Sequence, residues 1–360
     1  MPAPVLINGN FLCRSLTGIE RFAWEVCARL DALLAADDEV ALLVPANART
    51  VPAYTHITLV RSEKAIRAFP FWDMGTFARS CRKRHATALS FSNTAPLGKR
   101  CGIAFLHDIY AHDCPQDFST RKDRLIRAYS LLHYRNIARN ARTLITVSAF
   151  SRRRIMDAYR VPESRIRVIG NGWEHFASVQ ADDGIFTRFP LLRTGTYFFT
   201  LGSLSRRKNL AWIADYAENH PDETFAVSGK AISGLVPDEL KKMQSLKNVV
   251  LLGYVSDGEV KALMQRCKAF VFPSYYEGFG IPPLEALSVG AVVICAHGAS
   301  LDEIYRDTVR YIDAHDTDCD LNALLAEPVA APDAVLAQYT YQHAAEQLYA
   351  VIRDTQGAGR

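Results

Sequence analysis

The stretch YYEGFGIPPLEAL, residues 275–287, sets two acids, Glu277 and Glu285, on either side of a glycine-containing, proline-stiffened turn. Its surroundings are otherwise apolar. Upstream, KAFVFPS (268–274) is an apolar run bounded by turn residues and reads as a buried strand. Downstream, Pro282 and Pro283 suit the first turn of a helix, and Gly290 suits its end. The turn therefore joins a strand to a helix N-terminus. In an open α/β sheet that junction lies at the carboxyl edge, where ligands bind.

The same rhythm runs through the chain. Strands are expected at PVLIN (4–8), EVALLV (39–44), HITLV (56–60), TALSFS (87–92), CGIAFLH (101–107), TLITVS (143–148) and RIRVIG (165–170). Amphipathic helices are expected near 18–35, 71–84, 120–140 and 149–159. The second half continues with TYFFTLG (196–202), ETFAVSG (223–229), NVVLLG (248–253), KAFVFPS, AVVICA (291–296) and VRYID (309–313). Such alternation predicts parallel sheets covered on both faces, an α/β fold. The segment 172–194 is polar and without period, and reads as a linker between two Rossmann-like domains, 1–171 and 190–340. A final helix about 341–355 follows and is expected to pack back on the first domain.

The chain of 360 residues, 49% hydrophobic, suits two domains of ordinary size. No apolar run reaches the 18 or more residues of a membrane span, and MPAPVLINGN lacks the features of a signal peptide. Eight scattered cysteines without a CxxC pair suit reduced thiols and a cytoplasmic setting. Residues 1–170 carry 26 Lys and Arg against 14 Asp and Glu, an excess of +12, while the remainder carries 16 against 24, or −8. The first half therefore suits an anionic partner.

Three turns look like anion sites at helix starts. LTGIE (16–20) offers a capping box through Thr17 and Glu20, with Gly18 allowing close approach. GSLSRRKNL (202–210) brings Arg206, Arg207 and Lys208 to a helix starting about Lys208. GFG (278–280) offers backbone N–H groups. Each has a plainer reading by itself: a capped helix, a solvated basic loop, and for Glu285 an acid favoured by the helix dipole. No GxxxxGK[ST] or GxGxxG motif occurs, which argues against P-loop hydrolysis and against nicotinamide or flavin chemistry. Phosphate donors combined with two hydroxyl-accepting acids suit a nucleotide sugar.

Taken together, FPSYYEGFGIPPLEALSVGAVVI resembles the E-x7-E region of the family-4 retaining glycosyltransferases, which have the GT-B fold. INGNFLCRSLTGIERFAWEV, FLHDIYAHDCP (105–115), VSAFSRRRI (147–155), IGNG (169–172), GSLSRRKNL and HGASLDEI (297–304) match in the same order, over nearly the whole chain. The resemblance implies two Rossmann-like domains with parallel sheets facing each other across a cleft. It implies that Glu277 accepts from donor-sugar hydroxyls, Glu285 holds the ribose, and Gly278, Phe279 and Gly280 offer backbone donors. Lys208 would grip the diphosphate with Arg207 beside it, His107 would lie near the transferred sugar, and Gly18 would approach the donor. The sequence departs from many relatives twice: Thr17-Gly18 stands where they have two glycines, and Ser203 where they have an arginine, which Arg207 would replace.

The branch most resembled builds bacterial O-antigens and exopolysaccharides, often with mannose or rhamnose. It implies transfer of a hexose, GDP-mannose being the favoured donor, to a lipid-linked or oligosaccharide acceptor, with no metal and no cofactor. DTDCD (316–320) contains an Asp-x-Asp pattern but reads as a helix start. A sugar phosphorylase or epimerase of the same fold is the nearer alternative. A nucleic-acid-binding protein using STRKDRLIRAYSLLHYRNIARNAR (119–142) is the other, but no recognition motif accompanies that charge, so no nucleic acid is expected. The basic first half is expected to meet the anionic inner face of the cell membrane peripherally. Its contacts would be Arg79, Arg82, Lys83 and Arg84 on one helix and Arg121, Lys122, Arg124 and Arg127 on another. Phe69, Phe71 and Trp72 would insert at the interface.

Overall fold

The computed structural model describes residues 4–202, 205–229 and 237–357. Two parallel sheets organise them. The first comprises β1 (Val5–Asn8), β2 (Val40–Val44), β3 (Thr58–Arg61), β4 (Thr87–Ser90), β5 (Ile103–Phe105), β6 (Thr143–Thr146) and β7 (Ile166–Val168), in the order β3-β2-β1-β4-β5-β6-β7. The second comprises β8 (Tyr197–Leu201), β9 (Thr224–Ser228), β10 (Val249–Gly253), β11 (Ala269–Phe272), β12 (Val293–Ala296) and β13 (Arg310–Ile312), in the order β10-β9-β8-β11-β12-β13. Every expected strand is present. Continuous apolar runs such as VLIN and AFVF are buried at every position, as parallel strands covered on both faces require.

Both orders reverse direction beside the first strand of the sheet, the arrangement that opens a ligand crevice at the carboxyl ends. The chain divides into one unit ending at Gly172 and resuming at Tyr339, and a second unit, Trp173–Gln338. In the first unit the helix Tyr341–Gly357 packs against Gly18–Leu33, sharing a core with Phe22, Val26 and Leu30. All eight cysteines are free.

Three expectations need correction. The segment 172–194 is not a linker: it forms the short helices Glu174–Ala177 and Gly184–Arg188, and Phe176, Ile185 and Leu192 are buried. The expected helix 71–84 is interrupted, with a π-helical turn, Trp72–Phe77, ahead of Ala78–Lys83. Trp72 does not face outward: it is 2% exposed, and its Nε1–H donates to Asn8 Oδ1 at 2.8 Å. Phe71, 79% exposed, is the side chain of that group that stands clear.

Candidate functional site

In the second unit, the turn after β11 and the turn after β8 are held together at the carboxyl edge. Tyr275 N–H donates to the Arg207 carbonyl at 3.1 Å. The RRK segment is a short 3-10 turn, Arg206–Lys208, and the α-helix begins only at Leu210, two residues later than the sequence suggested. Between them Asn209 adopts a left-handed conformation (φ 56°), and its amide donates to the carbonyls of Pro273 (3.0 Å) and Ala314 (2.7 Å). Asn tolerates this backbone region better than most residues. Asn209 thus pins the RRK turn to the segments that leave β11 and β13.

That pinning brings Lys208 to Glu277. Lys208 Nζ lies 2.6 Å from Glu277 Oε1, and Arg207 3.6 Å from Oε2. The stem of Lys208 runs beside Gly202, where a Cβ would meet its Cδ at 3.2 Å and its Cε at 3.3 Å. The ammonium sits 4.6 Å from the centroid of the Phe272 ring. Burial alone would raise the Glu277 pKa; Lys208 and Arg207 outweigh it and hold the carboxyl below the ordinary carboxylate range. The result is a buried anion with two cations at the mouth of a strand-to-helix turn.

The turn itself is rigid. Gly280 has φ 87°, and a Cβ there would come within 2.7 Å of Leu301 Cδ2. The left-handed backbone is what calls for glycine here. The hydroxyl of Ser300 donates to the Glu277 carbonyl at 3.0 Å, and that of Tyr305 donates to the Gly280 carbonyl. Both belong to or adjoin the HGASLDEI run, which therefore clamps the EGFG turn from behind. Gly278 and Phe279 are buried within it. The helix Ile281–Ser288 follows with prolines in its first turn, and Gly290 is left-handed just beyond its end.

Glu285 lies past the first turn of that helix, so the dipole does not account for it. Its Oε1 meets His175 Nε2 at 2.9 Å, and both are buried. His175 was invisible to sequence reasoning because it sits in the segment taken for a linker. Its partner is 110 residues away. Ser203 lies outside the described residues. The Asp-x-Asp pattern is spent as expected: Asp320 caps the helix Leu321–Leu325, accepting from the N–H groups of Asn322 and Ala323.

In the first unit, His107 follows β5 and is buried. Its ring stacks on Phe105 (centroids 5.6 Å apart) and meets Phe22 edge-on (5.7 Å). Nε2 lies 2.6 Å from the Phe91 carbonyl, which can only accept, so Nε2 carries the proton and Nδ1 is left as an acceptor. Burial holds the ring's pKa below the ordinary imidazole value, against the opposing pull of that carbonyl, Asp108 and Glu20. Glu20 itself is buried at the start of the helix Gly18–Leu33, and the capping box is not formed as expected. Thr17 caps no N–H with its side chain and instead donates its hydroxyl to Glu20, while Gly18 stands exposed at the helix start.

The glycosyltransferase family 4 model matches residues 16–175, and the glycosyl transferases group 1 model matches residues 186–333. The chain belongs to the family-4 glycosyltransferases. Among its relatives, this glycosyltransferase is 29% identical to O-antigen chain mannosyltransferase B of Escherichia coli over 60% of its own length and 58% of the relative's. It is 26% identical to O-antigen chain mannosyltransferase RfbU of Salmonella typhimurium over 62% of its own length and 60% of the relative's. It thus spans about three fifths of the length of these two relatives. In fold the glycosyltransferase is similar to sucrose-phosphate synthase of Thermosynechococcus elongatus, with a TM-score of 0.72 at 15% identity over 99% of this chain and 100% of that one. The architecture is GT-B.

Proposed function

We propose that the protein transfers a hexose, mannose from GDP-mannose in the favoured case, to a lipid-linked or growing saccharide acceptor in bacterial surface-polysaccharide synthesis. The observation that carries this reading is the cluster of Lys208, Arg207 and Glu277 at the strand-to-helix turn. Two cations suit a diphosphate leaving group, and an ionised carboxylate beside them suits sugar hydroxyls and the positive charge that develops at the anomeric carbon. The mannosyltransferase names of two relatives favour the sugar.

The chemistry proceeds with retention and without a metal. The bond from the anomeric carbon to the diphosphate oxygen breaks, and the acceptor hydroxyl oxygen bonds the same carbon from the same face. The acceptor proton passes to the departing phosphate oxygen. Lys208 and Arg207 stabilise that oxygen as its charge grows, so no enzyme nucleophile is needed. Glu285, oriented by His175, accepts from the ribose hydroxyls, and Gly278 to Gly280 offer N–H donors. His107, neutral at pH 7 with Nδ1 open as an acceptor, takes a hydrogen bond from a sugar hydroxyl rather than giving up a proton.

The basic first unit meets the anionic inner face of the membrane. Arg79, Arg82, Lys83, Arg84, Arg121, Lys122 and Arg124 are exposed, as is Phe71. Arg127 is partly committed, its Nε donating to the Ala111 carbonyl at 2.8 Å. Among the described residues no helix is long and apolar enough to cross a membrane. A thermal-shift panel of UDP-, GDP-, TDP- and ADP-linked compounds tests the donor reading. A ligand at 100 times its Kd stabilises by about 2.7 kcal/mol. Stabilisation by GDP-mannose above the others supports it, and stabilisation by none overturns it.

A further inference from the structure

The strand β3 lies at the edge of the first sheet, and the helix Ala78–Lys83 covers that sheet beside it. The helix packs inward through Cys81, in a core with Leu6, Leu43 and Trp72, so its C-terminal turn stands over the edge. Between helix and edge strand runs a groove of about 420 Å³. Arg61, Lys83 and Arg84 form its rim, Ser62 and Ser80 add hydroxyls, and Leu43 and Val60 lie among the lining.

Three cations line this groove and no carboxylate does. Among the described residues, none of the three side chains makes a hydrogen bond or ion pair. Elsewhere in the same unit half-buried arginines are matched: Arg29 with Glu25, Arg152 with Glu163, Arg154 with Asp113. Lys83 and Arg84 have a simpler use at a helix C-terminus, where cations complement the dipole, and Arg61 has one on an edge strand, which charge protects from mispairing. Neither use requires all three to face one concavity. A concave surface lined by one sign of charge concentrates counter-ions.

The hydroxyls sharpen the chemistry. Ser80 donates to the Thr76 carbonyl at 2.9 Å, so its proton is committed. Ser62 Oγ accepts from Lys64 N–H at 3.1 Å, which leaves its own proton free to donate. Two guanidinium groups, an ammonium and one hydroxyl are a donor set for a phosphate oxyanion. The apolar side chains beside them suit the carbons of a glycerol ester, and exposed Arg79 and Arg82 on the same helix extend the positive field around the opening.

We propose that this groove is a discrete subsite for the phosphate headgroup of an anionic glycerophospholipid. It rests on the membrane attachment proposed above and deepens it: one headgroup is seated, where a diffuse basic face would seat none.

The test measures flotation of the full chain with phosphatidylglycerol-containing vesicles. It compares the triple variant Arg61→Gln, Lys83→Gln, Arg84→Gln with the triple variant Arg121→Gln, Lys122→Gln, Arg124→Gln, which loses the same charge. The subsite predicts that the first triple loses binding at least tenfold more than the second. It also predicts that Ser62→Ala, which changes no charge, weakens binding about tenfold, the loss of one hydrogen bond to a charged group. Equal loss in both triples, with Ser62→Ala like the parent, overturns the subsite while leaving diffuse attachment standing. No vesicle binding by the parent overturns both the subsite and the attachment, but not sugar transfer, which is assayed separately with a soluble acceptor. Circular dichroism and melting temperature check that each variant folds. Saturable binding of free glycerol phosphate that the first triple abolishes, without vesicle binding by the parent, assigns the groove to a soluble ester and refutes the lipid source.

Discussion

Replacing Glu277 by Gln should destabilise the unliganded protein and make its stability more dependent on an anionic ligand. In the parent, Glu277 neutralises Lys208 at 2.6 Å, with side chains only 7% and 12% exposed. The variant removes the carboxylate that faces both that ammonium and Arg207. Removing one partner of a buried pair costs about 3–5 kcal/mol; the lower end applies because the Gln amide oxygen still accepts from Nζ. For a unit of this size, about 3 kcal/mol lowers Tm by roughly 6–12 °C. A diphosphate supplies the missing negative charge, so saturating GDP should restore part of the deficit and shift Tm more in Glu277→Gln than in the parent. Differential scanning fluorimetry with and without GDP reads both quantities. If the variant melts like the parent, the ion pair is not structural. If GDP shifts both proteins equally, the two cations do not hold the diphosphate.

Other predictions follow from the same contacts. Sugar transfer by Glu277→Gln should fall about 100-fold, or about 2.7 kcal/mol, as single-turnover rates with saturating donor would record. His175→Phe should weaken nucleotide binding as Glu285→Gln does, by calorimetric titration, because it frees the carboxylate it now orients; unchanged affinity in both would remove them from the ribose site. Gly202→Ala should weaken donor binding several-fold without removing any functional group, by displacing the stem of Lys208. Burial holds His107 and His133 below the ordinary imidazole value, so the unfolded chain takes up protons that the folded chain refuses. That stability is complete above about pH 6.5 and is lost as pH falls through it, which urea unfolding between pH 8 and 5.5 should show, with a shallower slope in His107→Gln.

The central strands were legible because burial on both faces writes itself as a continuous apolar run, which needs no knowledge of partners. The residues that position the site were less so. Asn209 bonds the carbonyls of Pro273 and Ala314, and Ser300 and Tyr305 clamp the EGFG turn, through pairings that no local pattern encodes. The segment 172–194 misled because Phe176, Ile185 and Leu192 are buried at irregular spacing. Trp72 misled for the opposite reason. An aromatic run beside basic residues resembles an interfacial anchor, yet its indole is spent on Asn8, in a buried network with Asp73 and Asn10. By sequence Lys208 and Glu277 point to separate tasks, one to phosphate and one to sugar; that they pair with each other is a fact of the fold.

The central claim is that the turn bearing Glu277 and the turn bearing Lys208 together move a sugar from a nucleotide to a saccharide. The most direct measurement follows labelled mannose from GDP-mannose into an oligosaccharide acceptor in the presence of EDTA, with the anomeric configuration of the product read by NMR. The account predicts a retained α-linkage, a rate indifferent to EDTA, and near-complete loss in Lys208→Ala. An inverted linkage, or activity abolished by EDTA and rescued by magnesium or manganese, would contradict it.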